Sequence, residues 1–127
     1  MKKLACVAVV ALSAMVSQQG LANVTEEDFR LDTFKDLVAL CGVAAIDPNA
    51  SAAIHMCHGY VTGLVHFHTL MGRALEGTVY CLAADKRPHR DDAVGMLVNW
   101  SRDHPEYDSE EAIDGVLRWF AAKYPCN

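Results

Sequence analysis

The sequence predicts an all-α fold, a compact four-helix domain with two disulfides. Apolar residues recur at helical spacing along residues 23–127, and no segment carries a strand pattern of comparable strength. Four cysteines in that region follow an export-type N-terminal segment. A small exported domain commonly closes an even number of cysteines as disulfides, because its core alone is small. These observations together favour a helical array.

Residues 1–22 are predicted to form a cleavable signal peptide. Two lysines precede an unbroken stretch of small and apolar residues over 4–16, and small residues lead to a cut after Ala22. The stretch is too short for a membrane-spanning helix, and the alternative is a retained N-terminal anchor. Cleavage removes Cys6 and leaves residues 23–127 as one exported domain.

The first two helices are placed by caps and breakers. Thr25 followed by Asp28 indicates the start of the first helix, and Gly42 ends it. Asp47 is predicted to be the N-cap of a second helix that runs from about Pro48 to residue 75.

The second helix is apolar on two faces, which is typical of a central, buried helix. Gly59 and Gly63 lie four residues apart, and we expect them to admit a neighbouring helix closely, although tolerated glycines are the alternative. One face has Met56, Tyr60, Gly63, Phe67 and Met71, and the other has Ile54, Cys57, Val61, Leu64 and Val65.

The third helix is predicted to start at residue 89 or 90 and to end at Pro105. The fourth begins at Asp108, with Glu111 completing a capping box, and ends before Pro125. Its apolar stripe is Ile113, Val116, Leu117, Phe120 and Tyr124.

This topology also predicts the disulfides. Short connections make sequential helices antiparallel, so the first helix ends where the second begins and Cys41 lies near Cys57. The second and fourth helices end at the opposite pole, where Cys81 meets Cys126. Zinc binding is disfavoured because the cysteines contain no C-x-x-C spacing.

The charge limits the classes of partner. The chain has 11 Lys and Arg residues against 16 Asp and Glu, and loss of the two N-terminal lysines changes its net charge from −5 to −7. Such a protein is not expected to bind nucleic acid or an anionic membrane surface. The charge suits a basic protein partner, unless it is simply a solvated surface.

The sequence predicts no enzyme, metal site or cofactor. His55, His58, His66 and His68 all fall on the second helix. His55 and His66 share a face, His58 lies about 60° away and His68 points nearly opposite to His66. No H-E-x-x-H pair or carboxylate at ligand spacing accompanies them. The cysteines are assigned to disulfides, and no serine has a nucleophile-elbow or triad context.

Five segments, taken in order, carry a family resemblance. They are Leu37 to Cys41, the Cys-His-Gly-Tyr-Val-Thr-Gly stretch over 57–63, Cys81, His104-Pro105-Glu106 and Tyr124-Pro125-Cys126. The ordered set resembles the Rap/Tai immunity proteins, which are small periplasmic helical proteins that neutralise peptidoglycan amidases delivered by type VI secretion. The resemblance covers nearly the whole of residues 23–127.

The resemblance implies a binding function. An immunity protein blocks its toxin by occupying the active-site groove, usually with a protruding loop or helix, and family members are often dimers. We expect one loop pole to bind the toxin through the connection at 83–89 and the turn at 104–108, because both lack an apolar stripe. The candidate partner-binding residues are Asp85, Lys86, Arg87, Glu106 and Tyr107, with Tyr107 the expected anchor because tyrosine buries a large area at small entropic cost.

Two other classes remain open from the sequence. The first is a periplasmic acid-stress chaperone or general envelope stress protein of similar size and architecture. The second is a stable domain recruited to an unrelated envelope complex. Gene context separates immunity from stress protection, since a neighbouring gene for a secreted amidase favours immunity.

Overall fold

A computed structural model describes residues 23–75 and 77–126, and the predicted signal peptide lies outside these residues. The described residues form four α-helices and no strand, which confirms the predicted all-α class. Single turns of 3-10 helix lie at 28–30, 84–86 and 105–107. The helices are α1 (Phe34–Cys41), α2 (Ala50–Ala74), α3 (Arg90–Arg102) and α4 (Ala112–Lys123).

The first helix starts later than predicted. The backbone N–H and hydroxyl of Thr25 do bond the Asp28 carboxylate, at 2.6 and 2.8 Å, but only one 3-10 turn follows. Leu31 then adopts a left-handed conformation with φ of 56°, which stops helical propagation. The Thr25–Asp28 pair therefore closes a local turn and does not begin α1.

The capping box belongs to α1 and not to α4, so the prediction for Asp108 and Glu111 is wrong. The Thr33 hydroxyl accepts from the Asp36 N–H at 3.3 Å, and the Asp36 carboxylate accepts from the Thr33 N–H at 2.8 Å. The turn before α4 instead provides hydrogen-bond acceptors for α1. The carbonyls of Asp108 and Glu110 accept from the first amides of α1, at 3.0 and 2.8 Å.

The start of α2 also differs from the prediction, because Asn49 and not Asp47 is its N-cap. The buried Asp47 carboxylate instead accepts from the backbone N–H groups of Val24 and Asn49, at 2.8 and 2.7 Å. One carboxylate thereby ties the N-terminal segment to the start of α2.

Only one face of α2 is buried, and only in its N-terminal part. At 25 residues α2 is about twice as long as α3 or α4, so its C-terminal part extends beyond them. Met56 and Phe67 are 41% and 58% exposed, so the prediction of two buried faces is wrong. The buried residues of α2 are Ala53, Cys57, Val61 and Leu64.

The close helix contact is made at Gly115 and not at the two predicted glycines. A β-carbon on Gly59 or Gly63 would meet nothing within 4 Å, so the predicted close approach there is wrong. A β-carbon on Gly115 would lie 2.7 Å from Phe34 Cβ, because α1 packs directly on α4. Trp119, which the predicted stripe omits, is 1% exposed, whereas the predicted Ile113 is 37% exposed.

Both disulfides have the pairing that the topology predicts. Cys41 and Cys57 join the end of α1 to α2, with Cα atoms 5.2 Å apart. Cys81 and Cys126 join the connection after α2 to the chain after α4, with Cα atoms 4.9 Å apart. The Cys81 N–H also donates to the Tyr124 carbonyl at 2.8 Å.

Candidate functional site

The two predicted contact loops do not lie at one pole. Asp85 and Lys86 belong to the 3-10 turn that precedes α3, whereas Glu106 and Tyr107 belong to the turn that follows it. A helix of 13 residues is about 20 Å long, so α3 separates the two loops by that distance. The expectation of a single loop pole is therefore wrong.

The turn after α3 is built on an aromatic cluster. The ring of Tyr107 is half-buried, and its centroid lies 5.7 Å from that of the Trp100 ring. The Arg118 guanidinium lies 4.8 Å from the centroid of the Tyr107 ring. Glu106 is exposed, and a hydrogen bond with His104 at 3.0 Å holds the pKa of that carboxyl below its usual value. Tyr107 thus has a packing role of its own, while Glu106 is accessible.

The connection before α3 presents three accessible charges. Asp85, Lys86 and Arg87 are all exposed. Arg87 also lines a groove between the connection and α2, and this distinguishes it from the other predicted contact residues.

The groove has two parts, an upper cavity of about 440 Å³ and a lower one of about 560 Å³. Val65, Leu82 and Arg87 line both parts, so the two adjoin along α2. The upper part reaches Arg73 near the end of α2, and the lower part reaches His58. Together the two parts are large enough for a bound peptide segment or small molecule.

A stack of three aromatic rings supports this groove. His68 lies 3.7 Å from Tyr80 between ring centroids, and Tyr80 lies 4.4 Å from Phe120. Burial raises the pKa of Tyr80 to about 12, while nearby Arg87 acts in the opposite direction. Burial lowers the pKa of His68. Neither His68 Nε2 nor the Tyr80 hydroxyl has a hydrogen-bond partner among the described residues.

The remaining histidines of α2 have separate environments. His58 Nε2 lies 3.3 Å from a carboxylate oxygen of Asp91 at the start of α3. The exposed His55 ring lies 2.6 Å from the Ser51 carbonyl, through Nδ1. Within residues 23–75 and 77–126, no three His, Cys, Asp or Glu side chains are placed to hold a metal ion.

An apolar surface lies where the end of α2 extends past the rest of the domain. It consists of Phe67, Leu70, Leu75, Val79 and Ile113, which are between 37% and 60% exposed. Phe67, Leu75, Val79 and Ile113 also line a cavity of about 220 Å³. Sequence reasoning assigned Phe67 and Ile113 to the core. The sequence does carry one indication of this exposure. The predicted second helix is longer than any other predicted helix, so no helix can cover its whole length.

No helix among the described residues has both the length and the apolar character needed to cross a membrane. The groove residues Arg73, Leu82 and Arg90 were not singled out from the sequence, because nothing local indicates how the connection folds back onto α2.

Comparison with known proteins gives one family. The family described as Rap1a immunity proteins matches residues 33–126, from the N-cap of α1 to the last cysteine. No curated protein and no solved structure matches the chain.

Proposed function

The chain belongs to the Rap1a immunity protein family, and on this basis we propose that it inhibits a peptidoglycan amidase delivered by type VI secretion. The family match over residues 33–126 carries the proposal, since immunity proteins act by binding a protein toxin. Two disulfides suit an oxidising compartment, so we place the protein in the periplasm, where such an amidase attacks.

The connection before α3 is the proposed primary contact. Asp85, Lys86 and Arg87 are exposed on a short loop that can enter the active-site cleft of the toxin. A steric block of this kind needs no catalytic group on the immunity protein.

The turn after α3 is the proposed second contact. An interface of ordinary size buries about 800 Å² on each partner, which is wide enough to include both ends of α3. Glu106 supplies an accessible charge there, and the packing of Tyr107 on Trp100 and Arg118 holds the turn in a fixed shape. A preorganised turn loses little entropy on binding.

The apolar surface is the proposed homodimer interface. Phe67, Leu70 and Leu75 form an apolar area on a protein whose net charge is negative. Two like-charged copies repel elsewhere, so they approach most easily through this area. A two-fold axis near Phe67 would bury the same side chains on both copies.

Co-expression tests the immunity proposal. An amidase encoded at the same locus is directed to the periplasm with and without this protein, and its catalytically inactive variant is the control for general toxicity. Immunity predicts slower lysis and a complex that co-elutes on size exclusion. Equal lysis with no complex would contradict the proposal and favour the stress-protein alternative.

A further inference from the structure

We propose that the groove between α2 and the 78–91 connection binds an extended acidic peptide segment of the toxin. This inference rests on the proposed function and adds a second recognition element to it. The inhibitory loop would enter the toxin, and a strand of the toxin would in turn enter this groove.

The charge of the groove differs from that of the whole protein. Arg73, Arg87 and Arg90 line it, and Asp91 is the one carboxylate among the described lining residues. Asp91 itself lies 3.3 Å from His58. In a protein with 16 acidic residues, a groove with three arginines is locally positive and fits a carboxylate ligand.

Arg87 is the central feature of the site. It lines both parts of the groove and is exposed. Within residues 23–75 and 77–126, no carboxylate lies within 4.0 Å of its guanidinium. An arginine that has no internal carboxylate can bind an incoming one through two parallel N–H donors.

The walls of the upper part also include polar side chains. Tyr80 lines the upper part, is 2% exposed, and has a hydroxyl with no partner among the described residues. Thr69 and Thr78 line the same part. The Thr69 hydroxyl donates to the Val65 carbonyl at 2.8 Å, so toward a peptide it can accept from a backbone N–H group.

The floor and the length fit a peptide in extended conformation. Val61, Val65 and Leu82 provide an apolar floor for alternate side chains. From His58 to Arg73 the groove follows about 22 Å of helix. An extended chain rises about 3.3 Å per residue, so six or seven residues fill it.

Two synthetic hexapeptides test the groove on the protein purified from the periplasm. One alternates valine and glutamate, the other alternates valine and glutamine, and both have blocked termini. Binding is followed by the shifts of backbone amide NMR signals. We expect the glutamate peptide to shift signals over 65–73 and 78–91, and the glutamine peptide to bind about tenfold more weakly.

Variants identify the charge that matters. Arg87→Gln should weaken the glutamate peptide about tenfold, while Arg102→Gln, the same change at the far end of α3, should leave its affinity unchanged. Both arginines are exposed, so melting temperatures should match that of the parent protein. Any of three results would contradict acidic-peptide binding in the groove. They are equal binding of the two peptides, signal shifts elsewhere on the surface, and an unchanged affinity in Arg87→Gln.

A second arm separates this inference from the proposed function. The Arg73→Gln/Arg90→Gln variant, which leaves the inhibitory loop intact, is mixed with the amidase from the same locus. Weaker capture of the amidase supports the groove. Unchanged capture contradicts the proposed peptide-binding role of the groove and is compatible with the proposed immunity function. An amidase that binds neither form, while the glutamate peptide still binds the parent protein, contradicts the proposed function and keeps the groove as an acidic-peptide site.

Discussion

Gly115 and Phe34 lie in direct contact where α1 packs on α4, and no side chain larger than hydrogen fits between them. Phe34 is fully buried, and its ring lies edge-on to Trp100 with centroids 6.2 Å apart. Its backbone N–H also donates to the Glu110 carbonyl. The backbone and the ring are both fixed, so Phe34 cannot move away from an added methyl group.

Gly115→Ala is therefore expected to lower the free energy of unfolding by about 1–3 kcal/mol through overpacking. Gly63→Ala is the matched control, because its added methyl group meets open space. That variant should gain up to about 1 kcal/mol from helix propensity. Urea denaturation of both variants gives the comparison, and a stabilised Gly115→Ala would show that α1 and α4 are less tightly packed than described.

The two disulfides should differ in their reactivity toward reductant. Cys41 and Cys57 are buried, at 6% and 0% exposure, whereas Cys81 and Cys126 are exposed. Because thiol–disulfide exchange needs access to a sulfur, limited reduction should open Cys81–Cys126 first. Alkylation of the folded protein after short treatment with reductant, followed by peptide mass spectrometry, tests the order. Early labelling of Cys41 or Cys57 would contradict it.

Stability should fall as the pH decreases through the range where histidine titrates, and His68 should contribute to that fall. Burial lowers its folded-state pKa below the unfolded value of about 6.5, so below that pH the unfolded chain binds more protons. The contribution of neutral His68 to the free energy of unfolding is therefore complete above about pH 6.5, and it is lost as the pH falls below that value.

His68→Phe keeps a ring stacked on Tyr80 and removes the titrating nitrogen. The loss of unfolding free energy between pH 7.5 and pH 5 should be smaller in this variant than in the parent protein. His55→Gln, at an exposed position, is the control and should behave like the parent. An identical pH dependence in His68→Phe would show that other groups account for the effect.

The proposed dimer should depend on the apolar surface at the end of α2. Phe67→Glu places a charge at 58% exposure, so the monomer should keep its melting temperature while the dimer loses contact area. Light scattering after size exclusion should report a monomer for this variant and a dimer for the parent. Ile46→Glu, at 92% exposure before α2, is the control. A dimeric Phe67→Glu variant would exclude this interface.

The helical class and the disulfide pairing could be predicted because both depend on local periodicity and short connections. The start of α3 followed from the same signals, although the helix ends at Arg102, before the predicted Pro105. The capping signature, by contrast, occurs several times, among them at Thr25–Asp28, Thr33–Asp36 and Asp108–Glu111. Only the tertiary contact between α1 and the turn before α4 decides which copy forms the box.

The groove and the apolar surface could not be read from local patterns. The groove exists because the connection around Leu82 and Arg87 lies against α2, and nothing in the sequence of either segment encodes that approach. Phe67 follows the spacing of a core residue. Its exposure results from the lengths of the other helices, which end before they can cover it.

Inhibition of a purified amidase tests the central claim most directly. The amidase encoded at the same locus hydrolyses peptidoglycan fragments while the immunity protein is titrated into the reaction. The account predicts that activity falls to near zero at one equivalent, and that an Asp85→Ala/Lys86→Ala variant, which keeps the groove residue Arg87, needs a large excess for the same effect. Full amidase activity in the presence of excess parent protein would contradict the account.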